Sequence, residues 1–102
     1  MYSTVSVEEI QPINRIQKSK YLHPYVLKSF GYTSERMAIE LNLSVGQIVR
    51  YNPYSKSKSK CEPPLSICKL TWFLVEKILR DGMLPKIPSL FDYYLSLSTD
   101  MN

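Results

Sequence analysis

Apolar residues recur at helical spacing along most of this chain, and short polar or proline-containing segments separate the runs. The most structured pattern lies between Ser34 and Pro53, SERMAIELNLSVGQIVRYNP. Met37, Ala38 and Leu41 precede a break at Asn42, and Leu43, Ile48 and Tyr51 follow it, so all six can face one small core. The pattern predicts two short helices joined by a tight turn, the bihelical helix-turn-helix arrangement.

Individual positions support that reading. Ala38 falls where two helices cross closely and a larger side chain would push them apart. Asn42 occupies the turn, where a left-handed backbone is often required and Asn is tolerated next after Gly. Ser44 reads as an N-cap, and Gln47 three residues later completes a Ser-x-x-Gln capping box. Pro53 ends the second helix. Any two amphipathic helices around a tight turn can share such an apolar pattern, and a helix-turn-helix can also serve as a protein contact surface.

The flanks predict further helix. Ser6 to Glu9 forms a capping box before a short first turn that Pro12 keeps from extending, and residues 13 to 20 carry Ile13 and Ile16 on one side. Pro24 suits the first turn of a helix running to Phe30, with Gly31 as its stop. Val26, Leu27 and Phe30 of that helix are expected to pack against the central motif. Beyond Pro63 and Pro64, Ser66 is expected to cap a helix ending at Gly82, with Ile67, Leu70, Leu74, Val75, Ile78 and Leu79 as a broad apolar face widened by Trp72 and Phe73. Ser89 is expected to cap a last helix bearing Leu90, Phe91, Tyr93, Tyr94, Leu95 and Leu97. So much apolar surface means burial in the core or against another subunit. Trp72, Phe73, Phe91, Tyr93 and Tyr94 are accordingly candidate interface residues within a support or dimerisation region spanning 66 to 97. The apolar run at 66–82 is charge-interrupted and shorter than the ~20 residues that span a bilayer, so no membrane association is expected.

The expectation is therefore an all-α protein: a single small helical domain, residues 1–102, of about five helices with a central helix-turn-helix. A length of 102 residues suits one core. Net charge is only +4, but residues 11–60 carry nine Lys or Arg against two Glu, while residues 1–10 contribute −2 and residues 61–102 contribute −1. Positive charge is thus concentrated around the motif. Such a distribution favours double-stranded DNA as a partner, because phosphate neutralisation with counterion release dominates non-specific affinity. Lys28, Arg36, Ser44, Lys56, Lys58 and Lys60 are the candidate phosphate contacts. The Ser-Lys run 55–60 reads equally well as a solvated loop.

On the second helix of the motif, Val45, Gln47, Val49 and Arg50 are the candidate base contacts. Gln pairs with adenine and Arg with guanine through two hydrogen bonds, and Val45 suits a thymine methyl. Gly46 weakens the helix by about 1 kcal/mol relative to Ala, yet permits close approach of a backbone. Two polar readers are a small set for a monomer, so a dimer or a partner subunit is expected.

Catalytic chemistry has little support. His23 has no carboxylate or nucleophile beside it in sequence, and no phosphate-cradling glycine loop or paired acidic motif occurs. Cys61 and Cys68 lack companion ligands for zinc. No enzyme activity, cofactor, metal or small-molecule substrate is therefore expected. MYSTVSVEEI has neither the basic start nor the apolar core of a secretory signal, and a cytoplasmic location is expected.

Phe30-Gly31, Leu43-Ser44, Ile48, Arg50-Tyr51, Pro63-Pro64 and Trp72-Phe73 together resemble the N-terminal part of the C subunit of the flagellar master transcription regulator and its plasmid-borne relatives. The resemblance covers about residues 27–73. Members of that family are longer and carry a zinc-binding cysteine cluster that Cys61 and Cys68 do not reproduce. The resemblance implies transcription activation in bacteria together with a partner subunit. Two functional classes stand at the end of the sequence reading: a small DNA-binding transcriptional regulator, and a non-enzymatic protein interaction module, of phage or plasmid adaptor or inhibitor type, that keeps the helix-turn-helix as a scaffold.

Overall fold

Three helix ends among the described residues close on a residue with positive φ, and they set the course of the chain. The computed structural model describes residues 15–16, 20–56, 58 and 60–99. Among these residues every regular element is helical: a 3-10 helix Pro24–Phe30, then α1 Ser34–Leu41, α2 Val45–Arg50, α3 Leu65–Arg80 and α4 Pro88–Thr99. The expected capping box at Ser6–Glu9, and the helix expected around residues 13–20 apart from Arg15, Ile16 and Lys20, lie outside the described residues.

The 3-10 helix ends at Gly31 (φ 90°), α1 at Asn42 (φ 56°) and α3 at Gly82 (φ 93°). In each case the next amide reaches back five residues: Tyr32 N–H to Leu27 O, Leu43 N–H to Ala38 O, and Met83 N–H to Ile78 O, at 3.2, 2.9 and 3.2 Å. This is the Schellman closure, which satisfies carbonyls that a helix end otherwise leaves without partners. Asn42 is the one described residue other than Gly at positive φ, and its short polar side chain tolerates the left-handed region better than other non-glycine residues.

The 3-10 helix is the centre of the core. Six of its seven residues are buried, and α3 and α4 pack against it. Its N-terminus combines Pro24 in the first turn with a His23 cap, whose Nδ1 accepts from Tyr25 N–H at 3.1 Å. Seven residues is long for a 3-10 helix. Ser29 supports its i, i−3 spacing by donating its hydroxyl to Val26 O at 2.6 Å.

Helix α3 buries Cys68, Thr71, Trp72, Val75 and Leu79, a stripe at helical intervals. The stripe is rotated from the expected one: Leu70 is exposed, while Thr71 is buried with its hydroxyl donating to Ile67 O at 2.8 Å. Two expected caps are corrected. Helix α3 starts at Leu65 with Pro64 in the cap position and no side-chain cap bond, rather than at Ser66. Helix α4 starts at Pro88, with Ile87 O accepting from both Leu90 and Phe91 N–H, so Ser89 is already inside it. Proline at a helix start forgoes an N–H that has no intrahelical partner there, which suits Pro88 to that place.

Three of the five candidate interface residues are core residues instead. Trp72, Phe91 and Tyr94 are 5%, 1% and 3% exposed. Trp72 Nε1–H donates to Ile16 O at 2.7 Å, Phe91 meets Phe30 edge to face, and Tyr94 stacks on His23. Burial inside one small chain thus absorbs most of the aromatic surface. Phe73 and Tyr93 remain exposed. No described helix is long and apolar enough to cross a membrane.

Candidate nucleic-acid interface

Helix α2 is only six residues long, too short to persist without tertiary support. Four contacts hold it. Ser44 Oγ accepts from Gln47 N–H at 3.1 Å, and Ile48 is fully buried. The Tyr25 hydroxyl, reaching out of the core, donates to Ile48 O at 2.9 Å. Finally Cys61 N–H donates to Arg50 O at 3.0 Å. Burial raises the Tyr25 pKa above the ordinary tyrosine value, which keeps that hydroxyl a donor. Neither the Tyr25 nor the Cys61 contact is visible as a periodic signal in the sequence.

The Cys61 bond has a topological effect. The chain leaves α2 at Asn52 and is back at the same end by Lys60, so Lys56, Lys58 and Lys60 belong to a segment closed beside Arg50. Within the loop Asn52 Oδ1 accepts from Tyr54 N–H at 2.9 Å, and Lys60 Nζ donates to Pro53 O at 3.1 Å. Tyr54 stacks on Tyr93 of α4, with centroids 5.6 Å apart and planes 13° from parallel. Arg50, Lys56, Lys58 and Lys60 are all exposed, and the Cys61 bond returns the Lys60 end of the segment to the end of α2.

The other candidate residues are distributed unevenly. Val45, Val49 and Arg50 are exposed on α2, and Ser44 is exposed at its cap. Gln47 is half-buried. Its amide turns to the Tyr51 hydroxyl at 3.0 Å, with Cys61 Sγ at 3.9 Å, so it neither reaches back to Ser44 as a capping box would require nor faces outward as a base reader. Lys28 is also half-buried, its ammonium donating to Ser34 Oγ at 3.0 Å and lying over the Tyr25 ring. That bond uses one of its three N–H donors and holds the ammonium against α1. Arg36 is exposed, its guanidinium 4.1 Å from the centre of the Tyr32 ring, which holds the charge at the surface of α1.

Beside the loop lies a cleft of about 290 Å³ lined by His23, Tyr51, Pro53, Lys60, Cys61, Glu62, Tyr93 and Leu97. His23 is buried in its wall. Burial first, and the Lys60 charge second, lower its pKa to about 4. It is therefore neutral at pH 7, and since Nδ1 accepts from Tyr25 N–H, Nε2 carries the proton. The folded value lies below the ordinary 6.5, so stability present above pH 6.5 is lost as pH falls toward about 4, where the unfolded chain binds a proton that the folded one refuses. The gap corresponds to roughly 3 kcal/mol. Urea unfolding at pH 7 and pH 4.5 is expected to show that loss, and His23→Gln is expected to flatten the corresponding part of the pH profile. An unchanged profile in the variant would remove His23 as its source.

Cys61 and Cys68 do not form a disulfide, and the Cys68 thiol lies 3.9 Å from Pro63 O. Burial, with the Glu62 charge adding to it, raises the Cys68 thiol to about 11, which leaves it protonated and chemically inert at neutral pH.

Comparison with known proteins leaves the geometry to stand by itself: no family model, no curated protein and no solved structure matches the chain.

Proposed function

We propose that the protein is a small DNA-binding regulator that presents α2 to the major groove of duplex DNA and acts as a dimer or with a partner subunit. The observation that carries this reading is the anchoring of α2. Its inner side is locked by Ile48, Tyr25 and Cys61, while Val45, Gly46, Val49 and Arg50 face outward next to the closed lysine loop. A short anchored helix followed by a segment of exposed lysines suits groove recognition, which needs orientation by phosphates and readout by side chains. In this reading α1 and α2 work as a helix-turn-helix, Arg50 reads a base edge, and Arg36, Ser44, Lys56, Lys58 and Lys60 approach phosphates. The exposed pair Leu70 and Phe73 on α3 is the surface for self-association.

The second reading is a protein interaction module. The exposure of Ile39, Val45 and Val49 favours it, since apolar side chains on a motif surface also suit a protein partner. Fluorescence anisotropy with random-sequence duplex DNA at low and at moderate salt separates the two. Binding that weakens steeply with salt is expected for the regulator; no binding at low salt would leave the interaction module.

A further inference from the structure

The outward surface of α2 is more apolar than its sequence implies, because Gln47 is turned inward to Tyr51 and Cys61. What remains are two isopropyl groups and one guanidinium. Val45 and Val49 are 41% and 52% exposed, and they stand one helical turn apart, on one side of the helix. Gly46 lies between them. A Cβ there would meet nothing closer than Ser44 Oγ at 3.9 Å, so packing within the chain does not require the glycine, and the bare backbone leaves room for a close approach from outside.

Among the groups exposed in the major groove, the thymine C5-methyl is the apolar one. Resting on the DNA-binding reading above, we infer that Val45 and Val49 read thymine methyl groups, with Arg50 on a nearby guanine. Side chains at i and i+4 are about 5–6 Å apart. Bases along a strand rise about 3.4 Å per step. The two valines therefore match thymines about two steps apart, as in an alternating A-T duplex. Arg50 on the same helix, with Arg36, Lys56, Lys58 and Lys60 exposed on the flanking segments, supplies the positive charge that favours DNA over a protein as the occupant of this surface.

The test compares poly(dA-dT) with poly(dA-dU), which differ only in the C5-methyl, using the full-length protein and anisotropy at low salt. Burying one methyl is worth about fourfold, the factor equivalent to ~0.8 kcal/mol, so the uracil duplex is expected to bind about fifteenfold more weakly. Val45→Ser with Val49→Ser is expected to bind both duplexes equally while keeping the salt dependence of the wild type; both positions are exposed, and circular dichroism verifies that the variant is folded. Salt-sensitive binding of the wild type that is equal for the two duplexes, or a preference that survives in the double variant, overturns the methyl reading and leaves DNA binding intact. Failure to bind either duplex at low salt overturns both and assigns the valine surface to a protein partner.

Discussion

Trp72→Ala is expected to destabilise the fold by about 3–5 kcal/mol, from the loss of a large buried side chain and the cavity left behind. The Ile16 carbonyl, which accepts from the indole N–H at 2.7 Å, would lose that partner, and an unmatched buried acceptor costs about 1–3 kcal/mol more. Set against the 5–15 kcal/mol typical of a whole domain, the variant would be partly unfolded at ambient temperature. At a urea dependence of about 2 kcal/mol per molar, the midpoint should fall by roughly 2–4 M. Trp72 is the only tryptophan, so the transition must be followed by circular dichroism rather than by its fluorescence. Phe73 supplies the contrast, because it is the next residue, also aromatic, and 51% exposed. Phe73→Ala should cost about 1 kcal/mol or less in the monomer. Equal losses in the two variants, or a Trp72→Ala protein as stable as the wild type, would contradict the assignment of Trp72 to the core.

Replacing Lys56, Lys58 and Lys60 together with Gln is expected to reduce the slope of log K against log salt by about 2.7, since each phosphate contact contributes about 0.9. At ~0.1 M salt the same loss amounts to roughly 500-fold in affinity, and it should be the same for every duplex, because phosphate contacts carry no sequence information directly. Arg50→Ala should behave differently. It is exposed at the end of α2, and if it reads a base edge as proposed, its loss should remove about 1–3 kcal/mol on a preferred sequence and much less on random DNA. An unchanged salt slope in the triple variant would take the loop off the DNA surface. Its fold should survive, since all three lysines are exposed and, among the described residues, the hydrogen bond at risk is the exposed Lys60 contact to Pro53 O.

Phosphate charge is a matter of composition and could be placed near the motif by counting residues. The burial of Trp72 could not. Its neighbour Phe73 has the same hydrophobic character, and the 100° between successive helix positions places one in the core and the other in solvent only once α3 has been docked. The same rotation exposes Leu70 and buries Thr71, a polar residue that its own helix satisfies.

What the sequence by itself determined is local. Gly31, Asn42 and Gly82 end their helices because the left-handed closure is a property of a few residues and needs no distant partner. Ser44 caps α2 for the same reason, and of the six positions named by the apolar spacing around it Met37, Ala38, Leu41, Ile48 and Tyr51 are core, while Leu43 is partly buried against it. What only the tertiary structure decided is which polar groups face inward. Gln47 and Lys28 are hydrophilic by composition, yet their partners, Tyr51 and Ser34, depend on rotamers and packing that no periodicity encodes. The anchoring of α2 belongs to the same class: Tyr25 lies 23 residues from Ile48 in sequence, and Trp72 lies 56 from Ile16. Such contacts arise when buried donors must find acceptors after the core has formed, so they follow from the fold as a whole rather than from any segment.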